Sequence, residues 1–422
     1  MTQNTATKIE KIIAREIFDS RKKPTLEVTV FAGEHNASFA VPSGASTGVH
    51  EAHELRDADP TYMAGNGVKK AIENVNGPIA QALAGVDITN QKEIDRILCE
   101  LDGTTNKDRL GGNATIGASV ACAKAAAKVK KIETFEHIRD LAFSKGTTSH
   151  LLFINLINGG KHADSGLSFQ EYQIIPQTHD VSSALQMAEK IQKSVGETLI
   201  SKYDQKNLTL GDEGGFAPHL NSSLRPLEIL TEAISTCGLN DSVLLGLDIA
   251  ASSFFESETN SYLVDGEKIS AADLAKKYQN MLTDFKIFSI EDPFQEEDFA
   301  SFSSLLESAS VKNTPNNSTL IIGDDLTVTN TARLKKAIEQ KSVNALIIKP
   351  NQIGTLSETL DTIQLAHENN IKCIVSHRSG DTMDDFIADL AYGAQCFGLK
   401  AGEPHQPERK VKYDRLVQIT KH

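Results

Sequence analysis

Six strand-like apolar runs in the second half of the chain each end on a charged or ionisable residue. They are LLGLD at Asp248, IFSIED carrying Glu291, LIIGDD carrying Asp324, LIIK at Lys349, CIVSHR at His377 and Arg378, and CFGLK at Lys400. Short β-branched runs of this kind, separated by helix-like stretches, predict parallel strands buried on both faces. In a (β/α)₈ barrel the C-terminal strand ends face the active site. Three carboxylates, then two lysines, an arginine and a histidine, are therefore expected to meet in one pocket. Such a set predicts a divalent-metal site facing a site for an anionic substrate.

A chain of 422 residues is long for one domain, so a barrel plus a second unit is expected. Residues up to about 40 read as a β-meander: EIFDS, the alternating TLEVTVFA, then ASFAVPSG. From 60 to 130 the pattern turns helical, in GVKKAIENVNGPIAQAL, QKEIDRILCEL and the Ala-rich NATIGASVACAKAAAKVK. Strands followed by helices read as α+β. The expected fold is therefore α/β overall: a smaller α+β N-terminal domain over 1–138 and a (β/α)8-type barrel with an atypical start over 139–422. Residues 138–150 read as a connection. Strand candidates after it begin with LLFINLINGGKH and include EYQIIP and LTLGDEGG.

The formal charge of −13, with no basic stripe to offset it, argues against a nucleic-acid partner. No apolar run approaches the ~18 residues of a membrane span. The first residues lack the apolar core and small-residue cleavage site of a secretory signal. Five scattered cysteines with no CxxC predict reduced thiols and a cytoplasmic location.

Each local motif has a bland alternative. Asp248, Glu291 and Asp324 taken singly are turn residues at strand ends; together they predict metal ligands. Lys349, taken singly, is a lysine reaching past a strand to solvent. Beside the acids it predicts a general base, with burial and neighbouring cations lowering its pKa. The guanidinium fork of Arg378 suits a phosphate or carboxylate, with Ser379 as a further donor. His377 shares that polar stretch, and Lys400 adds a second point charge toward substrate. Glycines flank Asp212 and Glu213, and let the backbone approach a ligand closely. Glu213 and Glu171, as neighbours, would raise each other's pKa and suit proton donation. His162, on the loop NGGKH, is a weaker candidate for substrate contact. The small-residue loop SGASTG has no GK[ST] after it, so it is no P-loop; a lid and a plain turn are both consistent with it.

These residues resemble one family, the enolases, which are the phosphopyruvate hydratases of glycolysis. The matching stretches are VPSGASTGVHEA, NGGKHA, QEY, GDEGGFAP, GLDIASS, SIEDPF, GDDLTVTN, IKPNQIGT and VSHRSGDT, in order along most of the chain. The resemblance implies reversible dehydration of 2-phospho-D-glycerate to phosphoenolpyruvate with two Mg2+ per site. It implies Asp248, Glu291 and Asp324 as ligands of the first ion and Ser46 as a ligand of the second. Lys349 becomes the base, and Glu213 with Glu171 the acid. His162, Arg378, Ser379, His377 and Lys400 become substrate contacts. It also implies a homodimer or higher homo-oligomer.

Three departures from the family pattern stand out. Lys22-Lys23 replaces Gly-Asn in the early turn, which puts that turn's geometry in question. Ala401 replaces Thr beside Lys400, and GEPHQPERKVKYDRLVQI replaces a Ser-rich tail. They motivate an alternative reading: an enolase-like paralogue acting on a phosphonate analogue, or one whose main role is binding.

Overall fold

The computed structural model describes residues 7–44, 48–142, 150–205, 207–312 and 319–421. The chain opens with an antiparallel meander: β1 (Ile9–Phe18), β2 (Pro24–Ala32) and β3 (His35–Ala40). β1 is longer than EIFDS alone predicts. Helices follow as α1 (Lys69–Asn74), a π-turn over Val75–Ile79, α2 (Ala80–Leu83), α3 (Gln91–Asp102), α4 (Gly112–Lys130) and α5 (Thr134–Ala142). α4 carries the Ala-rich run and is buried almost all round. It lies so close to the meander that a Cβ on Gly117 would come within 2.6 Å of Val28. α5 occupies much of the stretch expected to be a connection, and 143–149 lie outside the described residues.

The second half runs β4 (Leu151–Asn158), β5 (Glu171–Pro176), α6 (Val181–Tyr203), α7 (Arg225–Thr236) and β6 (Val243–Asp248). A small sheet of β7 (Phe255–Glu256), β8 (Ser261–Val264) and β9 (Glu267–Ile269) interrupts it, and no sequence signal singled it out. Then come α8 (Ala271–Asp284), β10 (Ile287–Glu291), α9 (Phe299–Lys312), β11 (Leu320–Gly323), α10 (Thr331–Glu339) and β12 (Ala345–Ile348). α11 (Pro350–Ile353), α12 (Leu356–Glu368), β13 (Lys372–Ser376), α13 (Phe386–Gly393), β14 (Gly398–Lys400) and α14 (Pro407–Ile419) complete the fold.

Eight strands close into a barrel in the order β4, β5, β6, β10, β11, β12, β13, β14. Every residue of β4, β5, β11 and β12 is buried, as strands covered on both faces require. The expectation of parallel strands fails at one place. β5 pairs antiparallel with both β4 and β6. Only residues 159–170 separate β4 from β5, and they hold one short 3₁₀ turn instead of the crossover helix that a parallel pair needs. LTLGDEGG is not a strand either. It makes isolated bridges through Phe216 to Ile157 and Leu210, and Gly214 turns at φ +88°. No helix among the described residues is long and apolar enough to cross a membrane.

The turn that carries Lys22-Lys23 is held by Asp19. The Asp19 carboxylate accepts the backbone N–H of Arg21 at 2.9 Å and of Lys23 at 2.8 Å. Lys22 pays with a left-handed backbone at φ +59° on an exposed position. Lys22→Gly should therefore raise stability by about 0.5–1 kcal/mol, after discounting glycine's larger unfolded-state entropy. Thermal or urea unfolding measures it; an unchanged or lower midpoint contradicts the strain.

Candidate active site

The barrel brings the strand-end residues to one face. Asp248, Glu291 and Lys400 are the last residues of β6, β10 and β14. Asp324, Lys349 and His377 each follow the last residue of β11, β12 and β13. β5 runs the other way, so its first residue, Glu171, lies at this face, in register with Asp248 and Asn158. The glycine loop after α6 supplies Glu213, and the β4–β5 loop supplies His162. Nearly all of them, with Arg378 and Ser379, line one cavity of about 200 Å³. Glu291 joins the cluster through Lys400. Ser46 lies outside the described residues.

Opposite charges interlock here. The Lys400 ammonium lies 2.9 Å from Asp248, 2.8 Å from Glu291 and 3.2 Å from Glu171, all buried. Burial works against its charge, but Asp248, Glu171 and Glu291 hold its pKa well above the usual lysine value. Burial and the charge of Asp248 drive Glu291 well above the carboxylate range. Lys349 is ion-paired with Asp324. Burial favours a lowered pKa for Lys349, as expected, but the Asp324 charge outweighs it and the pKa is raised. Asp324 is pulled below its usual value, its burial outweighed by Lys349.

Glu171 and Glu213 are shifted in opposite directions. Burial, then the charge of Glu213, pushes Glu171 well above the carboxylate range. Burial pushes Glu213 up too, but the neighbouring ring of His377 first, then that of His162 and the Arg409 charge, bring it well below. Mutual repulsion thus raises only one of the two. The ligand atoms of His162, Glu171 and Glu213 all lie within 4.8 Å of one another. His162 Nδ1 is 3.5 Å from Glu213 and His377 Nε2 is 3.3 Å from it, neither in an aligned hydrogen bond. Two buried ring nitrogens are thus left for a ligand in the cavity.

Several participants carried no sequence signal of their own. Asp292 accepts the backbone N–H of Asp324 at 2.9 Å and of Asp325 at 2.7 Å, fixing the turn that aims Asp324. Its neighbour Glu291 in the acidic pair of SIEDPF was the available hint. Glu51, from the loop after SGASTG, ion-pairs with Arg378 at 3.0 Å, while Asn351 accepts from Arg378 at 2.9 Å. Both members of the Glu51–Arg378 pair are buried. Removing one partner strands the other, so Glu51→Ala should destabilise the fold by about 3 kcal/mol, with Glu51→Gln milder. Urea titration followed by circular dichroism checks this; a midpoint unchanged in Glu51→Ala contradicts it.

The donors suit a hard divalent cation. The cavity is lined by eight carboxylates against four Lys or Arg, an excess that calls for added positive charge. Asp292, Asp324 and Asp325 place carboxylate oxygens within 4.8 Å of one another. Among the described residues Asp248 and Glu291 are in no such set; the Lys400 ammonium stands between them and pairs with both.

Family models match both halves: residues 9–138 match "Enolase, N-terminal domain", and 150–422 match "Enolase, C-terminal TIM barrel domain". A protein named Enolase from Corynebacterium kroppenstedtii is 43% identical over 415 residues, covering 96% of this chain and 93% of its own. One named Enolase from Methanocaldococcus jannaschii is 43% identical over 416 residues, covering 97% and 94%. One named Enolase B from Dictyostelium discoideum is 43% identical over 422 residues, with the same coverage. Two family models in tandem on a barrel whose strand ends carry this charged pocket place the chain in the enolase family.

Proposed function

We propose that the chain catalyses the reversible dehydration of 2-phospho-D-glycerate to phosphoenolpyruvate, as a Mg2+-dependent carbon–oxygen lyase of the cytoplasm acting as a homo-oligomer. The observation that carries this reading is the buried lattice of strand-end acids and cations in a family member. The alternative of a mainly binding role is not favoured, since every proposed reacting side chain among the described residues is present and converges on the cavity. We also assign 1–138 to the N-terminal domain and 139–422 to the catalytic barrel.

In this reading Arg378 grips the substrate phosphate, exchanging Glu51 for it, with Ser379 beside it. His162 and His377 offer their cavity-facing ring nitrogens to substrate oxygens. The Lys349 amine takes the proton from the carbon next to the substrate carboxylate. That electron pair becomes the new C=C bond as the hydroxide on the next carbon leaves. The Glu171–Glu213 pair gives the departing hydroxide a proton, which forms water. Asp248, Glu291 and Asp324, with Ser46 at a second site, would hold Mg2+, which would supply positive charge beside the substrate carboxylate and beside Asp324, the partner that otherwise keeps Lys349 protonated. Lys400 adds its charge to the same carboxylate.

The direct test is phosphoenolpyruvate absorbance on adding 2-phosphoglycerate and Mg2+. Product should form, stop with excess chelator and resume with Mg2+. No product from folded protein, or full turnover in chelator, sinks the reading. Arg378→Lys should cost about 1–3 kcal/mol, roughly 5- to 150-fold in kcat/KM, because an ammonium lacks the planar fork. An unchanged kcat/KM removes Arg378 from the phosphate site.

A further inference from the structure

Arg409, on α14, is wholly buried, and its guanidinium reaches the ring of His377. Arg409 Nη1 lies 2.6 Å from His377 Nδ1. The same nitrogen has two N–H groups: one goes to the carbonyl of Arg378 at 2.6 Å, and the other is shared between His377 Nδ1 and Asp381, at 3.2 Å. Its Nη2 donates to the carbonyl of Ser379 at 2.8 Å and of Asp212 at 3.2 Å. The fork is thus fastened to both loops that carry site residues, and it cannot swing away without stranding a buried charge.

A guanidinium has donors only and stays protonated at any working pH. At 2.6 Å, His377 Nδ1 must therefore present a lone pair, and the single ring proton must sit on Nε2. Turning the ring over would press a C–H against the Arg409 donor. The ring has little room to turn in any case: a Cβ at Gly402 would lie 2.9 Å from His377 Cε1. The charged groups facing the ring are Glu213 at Nε2, Arg409 at Nδ1 and Asp381 beyond Arg409. Burial and Arg409 outweigh the two acids, and the ring's pKa falls to about 4.

We infer that Arg409 is a positioning residue that fixes His377 as a neutral imidazole with its proton on Nε2, aimed at Glu213 and the cavity. His377 is then a constant donor through the neutral range and takes no part in acid–base exchange. Its importance for turnover rests on the function proposed above; the tautomer itself does not.

The test is imidazole ¹⁵N NMR of the full chain labelled at histidine nitrogen, with His377→Gln used only to assign the signal. The parent should show a bare Nδ1 and a protonated Nε2, unchanged between about pH 5.5 and 8.5, whereas an ordinary histidine titrates inside that range. A protonated Nδ1, or a doubly protonated ring near neutrality, overturns the inference. Arg409→Leu should release the tautomer and let the ring titrate closer to the ordinary value, while Arg409→Lys, which keeps a donor, should hold it. A fixed Nε2–H ring in Arg409→Leu overturns the role of Arg409. If Arg409→Leu does not fold, a coupling across the hydrogen bond in arginine- and histidine-labelled parent decides: present supports the inference, absent overturns it. None of these measurements uses 2-phosphoglycerate, so their failure and that of the proposed activity are told apart.

Discussion

One buried ammonium sets the terms for the whole catalytic face. Lys400 ends β14 and lies within 3.2 Å of carboxylates from β5, β6 and β10. Four buried ionisable groups from four strands are tolerable only if they share charge and protons at close range. That requirement fixes the stagger of those strands, since a slip of one residue would turn each charge to the other side of its strand. It also leaves the site receptive to added positive charge, because three acids share one lysine and two of them, Glu171 and Glu291, are held well above the carboxylate range. The stability of the barrel face and its appetite for a cation are thus two consequences of one arrangement.

The reversal of β5 belongs to the same logic. A parallel strand would deliver its last residue to the active face, and β5 ends on Pro176. Running antiparallel, it delivers Glu171 to the Lys400 ammonium. The price-free route to this is a short β4–β5 link with no helix, and the same link carries His162. Local connection length and chemical function are tied together at this point.

Most of the catalytic face was legible because it lies at the ends of apolar runs. Asp248, Glu291, Asp324, Lys349, His377 and Lys400 needed only the rule that barrel strand ends converge. What was not legible depends on direction or on distant partners. Nothing in EYQIIP says which way the strand points. LTLGDEGG reads as a strand until its glycines turn the chain. Glu51 and Arg409 come from segments far from their partners, and each is an ordinary charged residue in its own neighbourhood. The direction of two pKa shifts was also out of reach: a buried lysine and a paired glutamate were each expected to move one way, and side chains from distant segments moved them the other.

The proposed chemistry depends on Lys349 as the group that takes the proton. The most direct measurement is deuterium uptake next to the carboxylate of 2-phosphoglycerate recovered from D2O with Mg2+, read by mass spectrometry. Glu213→Gln, impaired in losing hydroxide, should still exchange that proton while forming little product. Lys349→Ala, folded by circular dichroism, should do neither. Exchange at the parent rate in Lys349→Ala would contradict the account, because the carbanion would then form without the residue assigned to make it.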